Sequence, residues 1–325
     1  MGNGGGMSSG GLTVANIATT FDINLIYARR LFQSVDTTED INEVQKLISQ
    51  KPKPFVKWVG GKRQLLKQFR DLGLYPPELF DPTTNTYYEP FVGGGAVFFD
   101  LLPERAELSD LNRELVITYN VIKNNIDELI FSLKQHIYDK EYYLEVRAKN
   151  VNKLSDIEVA SRFIFLNRTG FNGLYRVNKK GQFNVPFGRY SNPVICDEEN
   201  LRRVSRELQN VIIKHQDYTS VLKNAQKGDF IYFDPPYYPL NRTSSFTAYT
   251  SESFLEKEQT ELRDTFVELH KRGCYIMLSN SDTPFINDLY SEIDGATIHK
   301  ITAGRAINSK GSGRGKITEL LVTNY

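Results

Sequence analysis

From Phe55 onward, short apolar runs alternate with helix-length amphipathic stretches, and that alternation limits the fold class. Strands that recur between helices assemble into a largely parallel sheet with helices on its faces, an α/β architecture. TYYEPFVGG (86–94), RAELSDLN (105–112), NVIIKHQDY (210–218), DFIYFDPPY (229–237) and CYIMLSN (274–280) read as strands, with a last one from Glu319. Helices are expected from AVFFDLL, over Arg113–Asn124, through much of Ile126–Leu166 and over Glu256–Lys271. The strands fall before and after a helical and loop-rich segment. The expected division is therefore a sheet-bearing part at 51–115 and 210–325 and an inserted, mainly helical domain at 116–209.

A chain of 325 residues that is 40% hydrophobic has ample material for a core. No apolar run approaches the roughly 18–20 residues needed to span a bilayer, so no membrane association is expected. The start, MGNGGGMSSGG, has neither the charged nor the apolar region of a secretory signal. Cys196 and Cys274 lack metal-ligand or disulfide spacing, so neither a metal site nor a disulfide framework is expected. These features point to a soluble intracellular protein.

Overall charge is nearly balanced, Lys+Arg 40 against Asp+Glu 39, but its distribution is uneven. No acid occurs between Val159 and Cys196, where Arg162, Arg168, Arg176, Lys179, Lys180 and Arg189 fall among Asn and aromatic residues. Gly295–Thr318 repeats the pattern with Lys300, Arg305, Lys310, Arg314 and Lys316. Such stretches suit phosphate contacts, the plainer alternative being a solvated basic face. Ahead of the sheet, residues 1–11 form a Gly/Ser-rich tail, and LTVANIATTFDINLIYARRLFQ reads as two short helices capped by Thr13 and Asn24. Their spacing is that of a helix-turn-helix, with Ile17, Ala18, Ile23, Ile26 and Leu31 as packing positions. A third helix is expected over 37–49, and KPKP (51–54) is a hinge. A packing role and a DNA-reading role both fit this extension of 1–50.

Several motifs carry chemistry. EPFVGGG (89–95) closes a strand and opens a helix, so its glycines let a ligand approach the backbone; a plain tight turn is the alternative. Asp110, ending the next strand, could accept from ribose hydroxyls or cap the following helix. Together they suggest an adenosine-containing cofactor, while the absence of a GxxxxGK[ST] loop argues against an NTPase. In FVKWVGGKRQLL (55–66), Trp58 and Lys62 either belong to a strand–turn–helix entry or face a ligand. Asp234-Pro235-Pro236-Tyr237 follows the apolar run FIYF. The prolines remove amide protons and leave carbonyl acceptors. A carboxylate and a carbonyl can both accept from one exocyclic amine, and the tyrosine offers a stacking face.

KWVGGK, EPFVGGG, SDLN, NGLYR, QFNVPFGRY, DPPY and LSN, in that order, resemble the Dam-like DNA adenine-N6 methyltransferases of the α order, over roughly 53–325. The resemblance implies a Rossmann-like S-adenosylmethionine-dependent methyltransferase sheet, with the insertion as target-recognition domain. It implies cofactor contacts from Trp58, Lys62, Asp110, Asp217, Tyr218 and Asp234, with Glu89, Phe91 and Gly93 of the turn beside them. Asp234, Pro235, Pro236 and Tyr237 would hold a flipped adenine. Lys57, Asn172, Leu174, Arg176 and Pro186 would read the bases of a GATC duplex, and Phe171 would wedge into the vacated space. Arg189 and the Arg305, Lys310 and Arg314 loop would hold phosphates. The implied setting is bacterial or phage-like, with double-stranded DNA as partner and room for a cognate restriction endonuclease. N4-cytosine methylation and a non-catalytic DNA-binding regulator are the alternatives.

Overall fold

The computed structural model describes residues 13–34, 41–240, 254–304 and 316–325. Seven strands form one sheet: β1 (Tyr87–Glu89), β2 (Ala106–Asp110), β3 (Val211–His215), β4 (Phe230–Phe233), β5 (Tyr275–Ser281), β6 (Thr297–Gly304) and β7 (Lys316–Thr323). Their order is β3-β2-β1-β4-β5-β7-β6. The pairs β1–β2, β2–β3, β1–β4 and β4–β5 are parallel, and β7 is antiparallel to β5 and β6. This is the expected α/β sheet. All four residues of β4 are buried, as a central strand covered on both faces requires. Strand order reverses between β1 and β4, and a crevice opens beyond the carboxyl ends of strands at such a switch point. Glu89 ends β1 and Asp234 follows β4 directly, so both motifs reach that crevice.

The third and fourth strands stop earlier than the sequence suggests. Asp217 caps a short 3-10 turn over Tyr218–Lys223, and Pro235 and Pro236 cannot donate to a ladder.

Between β2 and β3 run α6 (Arg113–Asn124), α7 (Ile126–Lys134), α8 (Lys140–Ala148), α9 (Asp156–Thr169) and α10 (Glu198–Glu207). Asn112 caps α6 by accepting from the Leu115 amide at 3.1 Å, and Ser155 with Glu158 forms a capping box on α9. α6 crosses the expected boundary at 116 unbroken and contacts β2, β3 and α9 alike. A smaller core of Tyr143, Val146, Phe165, Leu166, Phe183 and Val185 supports the irregular segment after α9.

The N-terminal helices α1 (Val14–Phe21), α2 (Leu25–Ser34) and α3 (Ile41–Ser49) form as expected, with Thr13 and Asn24 capping the first two. Ile17, Ile23, Ile26, Tyr27, Ala28, Leu31 and Val44 are buried in the same core as the sheet. At the amino-terminal turn of α2, which would enter a groove in a helix-turn-helix, Leu25 is exposed while Asn24, Ile26, Tyr27 and Ala28 are buried. Asp100, in α5 (Ala96–Leu101), is the anchor. Its carboxylate pairs with Lys51 and with Arg70 of α4 (Leu66–Asp71), each at 3.1 Å, and its carbonyl accepts from Asn24. Asp100→Ala takes the carboxylate from two largely buried cations, leaving Arg70 with Asp22 and Lys51 with the main-chain carbonyl of residue 100, and is expected to cost about 3 kcal/mol, read as a lowered midpoint in urea denaturation.

Candidate active site

A cavity of about 630 Å³ opens at the switch point, lined among others by Trp58, Lys62, Glu89, Arg168, Asp234 and Glu319. Four expected cofactor residues (Trp58, Lys62, Glu89 and Asp234) thus share one wall system. Lys62 is buried and starts a short 3-10 turn. Its ammonium donates to the Gly60 carbonyl at 2.7 Å, pairs with Asp234 Oδ1 at 2.9 Å, and lies 4.7 Å from the centre of the Tyr237 ring. Burial lifts the Asp234 pKa above its ordinary value, against the pull of the Lys62 ammonium.

The segment after β4 is held from two sides. The Pro236 carbonyl accepts from Gln259 Nε2 at 3.0 Å, in α11 (Glu256–Lys271). Gln259 Oε1 accepts from Asn280 at 2.9 Å, and Asn280 Oδ1 accepts from the Tyr238 amide at 3.2 Å. Both amide side chains are fully buried, so this network sets the backbone path. On the other side the Tyr237 hydroxyl donates to Glu319 at 2.8 Å. The Pro235 carbonyl accepts from no described residue.

The glycine turn is shaped by its neighbours. Gly93 has φ 48°, and a Cβ there would lie 2.5 Å from the indole nitrogen of Trp58, so the position admits only glycine. Trp58 stacks near Tyr175 and Phe163, with centroids 5.9 and 6.4 Å away. Glu89 is buried, accepting from the Tyr87 hydroxyl at 2.8 Å and the Phe98 amide at 3.0 Å, and burial pushes its pKa up to about 8. Asp110 accepts from the Gly93 amide at 3.1 Å and the Asn112 amide at 2.8 Å, tying the turn to β2. It is not the helix cap, because Asn112 is. Burial raises the Asp110 pKa despite those bonds.

Phe91 stacks on Tyr218 with centroids 5.3 Å apart, and exposed Asp217 accepts from the Thr219 amide. Phe91, Gly93, Asp110, Asp217 and Tyr218 therefore flank the turn on the β2–β3 side, outside the cavity lining.

The expected base-reading residues cluster on the irregular segment after α9. Bridges Gly170–Phe187 and Val177–Phe183 fold it into a narrow hairpin. The Phe171 amide donates to the Pro186 carbonyl at 2.9 Å, and Arg176 donates to the Asn184 side chain at 2.7 Å and its carbonyl at 3.2 Å. Phe171, Asn172, Arg176, Pro186 and Arg189 are exposed, while Leu174 is half-buried. Phe171, at 50% exposure, is a large apolar ring held out in solvent. Buried Asn167 joins this hairpin to the Trp58 loop: it accepts from the Lys57 amide at 2.8 Å and donates to the carbonyls of Lys57 (2.8 Å) and Gly173 (2.9 Å). The Lys57 ammonium lies 4.5 Å from the centre of the Tyr190 ring. Two arginines of the basic stretch face inward instead. Arg162 pairs with Glu114 at 2.9 Å, and Arg168 donates to the Phe55 carbonyl at 2.7 Å. Arg305, Lys310 and Arg314 lie outside the described residues.

Residues 58–307 match the D12 class of N6 adenine-specific DNA methyltransferases. The Type II methyltransferase M1.LlaDCHI of Lactococcus lactis subsp. cremoris is 47% identical over 281 residues, 84% of this chain and 95% of its own length. The Type II methyltransferase M.MjaIII of Methanocaldococcus jannaschii is 46% identical over 291 residues, 84% of this chain and 99% of its own. The DNA adenine methylase of Escherichia coli (strain K12) is 35% identical over 277 residues, covering 83% and 95%.

The chain belongs to this family.

For an enzyme of the D12 class, three residues that hold the segment after β4 carried no site role in the sequence: Gln259, read only as part of a helix, Glu319, read only as the start of a strand, and Asn280, read only within LSN. Each reaches the site from an element far along the chain. The usable signal for Glu319 is one acid opening an otherwise apolar strand end, ELLV.

The raised Glu89 pKa has a consequence for stability. The folded state holds a proton there that the unfolded state gives up near the ordinary value of 4.5, so stability falls as pH rises from about 4.5 to about 8 and levels off above. In Glu89→Gln this component of the decline, up to about 1.4 kcal/mol per pH unit, disappears. Urea denaturation across that pH range checks it. A slope unchanged from wild type would place the carboxyl proton elsewhere.

Proposed function

We propose that this methyltransferase transfers the methyl group of S-adenosylmethionine to N6 of adenine in duplex DNA, within GATC, acting on a base turned out of the helix. The observation that carries this reading is the pairing of Asp234 with the unengaged Pro235 carbonyl at the carboxyl end of β4, beside the Tyr237 ring.

The two acceptors suit the two hydrogens of one amino group. Held that way, the group keeps its lone pair directed out of the ring plane, toward the cavity. Lys62 takes Asp234 Oδ1 and leaves Oδ2 for the amine. It also covers one face of Tyr237, so the base stacks on the other. Asp234 is the nearest carboxylate to the amino group, ready to take up the proton that N6 sheds.

S-adenosylmethionine, when bound, supplies a methyl group on a cationic sulfonium. The residues fit such a ligand, which also carries an ammonium and a carboxylate: the cavity is about 630 Å³, its wall sets the Asp234 and Glu319 carboxylates beside the Lys62 and Arg168 cations, and the glycine turn admits close approach. Trp58, Lys62, Glu89 and Asp234 would line its methionine part. Asp110 retains free lone pairs for ribose hydroxyls, and Phe91, Gly93, Asp217 and Tyr218 would border its adenine.

On the DNA side, Arg176 uses Nε and one Nη2 hydrogen on Asn184. Its outer edge remains for the bidentate contact with guanine. Leu174 and Pro186 suit a thymine methyl, Asn172 an amide-type contact, Lys57 the first guanine, and Arg189 a phosphate. Phe171 is the wedge for the space left by the base. The segment 116–209 is read as the recognition domain and 1–50 as a packing extension. The Type II naming of two relatives supports a cognate restriction endonuclease as partner, in an intracellular setting.

Labelled methyl transfer to duplexes with and without GATC tests the reading. Incorporation is expected on the first alone; none on either would sink the activity, and equal incorporation would sink the site assignment. Asp234→Ala is expected to abolish transfer with duplex retention near wild type in a gel-shift assay. Arg176→Ala should keep transfer but lose about 1–3 kcal/mol of discrimination between GATC and single-substitution sites, measured as a ratio of kcat/KM values.

A further inference from the structure

Glu319 opens the buried end of β7, where Leu320, Leu321 and Val322 are each at most 1% exposed. A carboxylate in such company needs a reason. β7 runs antiparallel to β5, with Glu319 opposite Ser281, which places it at the carboxyl edge of the parallel strands and on the cavity wall. Among the described residues it pairs with no cation. Its partner is the Tyr237 hydroxyl, at 2.8 Å. Tyr237 is thereby fixed at its rim by Glu319 and on one face by Lys62, whose ammonium sits 4.7 Å from the ring centre.

We propose that Glu319 is a positioning residue for methyl transfer: it acts through the Tyr237 hydroxyl to hold the ring in the orientation on which the target base stacks.

The inference rests on the proposed reading of Tyr237 as the stacking ring. A ring held only by its backbone can tilt about the Cβ–Cγ bond, and a tilted ring misplaces the amino group that Asp234 and Pro235 receive. Orientation losses of this kind fall on kcat more than on duplex binding, because most of the binding surface is elsewhere. The charge of Glu319 is not needed for this role. An amide oxygen can accept the same hydrogen bond, so glutamine should serve where leucine does not.

The experiment compares wild type, Glu319→Leu, Glu319→Gln, Tyr237→Phe and the double variant Glu319→Leu/Tyr237→Phe, each confirmed folded by thermal denaturation. If Glu319→Leu does not fold, Glu319→Ala takes its place in the cycle. Steady-state methyl transfer to a GATC duplex is expected to show kcat reduced about tenfold in Glu319→Leu, with KM for DNA little changed. Glu319→Gln should recover most of the loss, and the double variant should be no slower than Tyr237→Phe alone. A duplex with 2-aminopurine at the target position adds a direct readout. Its emission, quenched by stacking on Tyr237, should rise in Glu319→Leu and not in Glu319→Gln. An active wild type with a folded Glu319→Leu of unchanged kcat, or with losses that multiply independently of Tyr237→Phe, overturns the inference and leaves the proposed function standing. An inactive wild type overturns both.

Discussion

The Lys62–Asp234 ion pair is the contact around which the site is built. A buried lysine is costly unless its ammonium is satisfied, and here three groups satisfy it: Asp234, the Gly60 carbonyl and the face of Tyr237. The two charges come from elements far apart in the chain, Lys62 from the turn after KWVGG and Asp234 from the end of the central strand β4. Their attraction closes the Trp58 loop over the switch point and keeps a carboxylate available in a place where burial favours its neutral form. Loop position, protonation state and ring placement thus depend on one interaction.

The sheet topology explains why the segment after β4 can be rigid without being regular. Two prolines remove it from the ladder, so its backbone must be held by side chains. Gln259 and Asn280 do this from the β5 side, as a buried chain of amides in which each group has a partner. Glu319 does it from β7. In a purely parallel sheet only strand ends face this edge. The antiparallel β7 delivers its early residues there instead, which is how Glu319, six positions before Tyr325, reaches the cavity wall.

What could be read in the sequence was local. FIYF ending in Asp-Pro-Pro announces a buried strand and its stop, and a glycine cluster between strand and helix announces a turn that a ligand can approach; both are written in consecutive residues. Gln259, Asn280 and Glu319 carry no local mark, because their importance comes from pairings set by sheet order. Composition misleads in the same way: Arg162 and Arg168 stand in an acid-free stretch, yet one is paired with Glu114 and the other with a main-chain carbonyl. The N-terminal helices show the limit of spacing alone. Capped short helices with inward apolar positions describe a helix-turn-helix and a packing hairpin equally well. What spacing does not give is which positions are covered: Asn24, Ile26, Tyr27 and Ala28 are buried.

Asn167 gives the arrangement a further consequence. Its side chain clasps both main-chain groups of Lys57 and the carbonyl of Gly173, tying the hairpin to the loop that leads to Lys62. Gly173 can sit there only because it lacks a side chain: a Cβ would lie 2.5 Å from the Lys57 side chain. Asn172 beside it adopts a φ of 55°, a conformation few residues other than asparagine and glycine accept readily. The hairpin therefore holds its outward-facing residues against a tightly packed base rather than on a free loop.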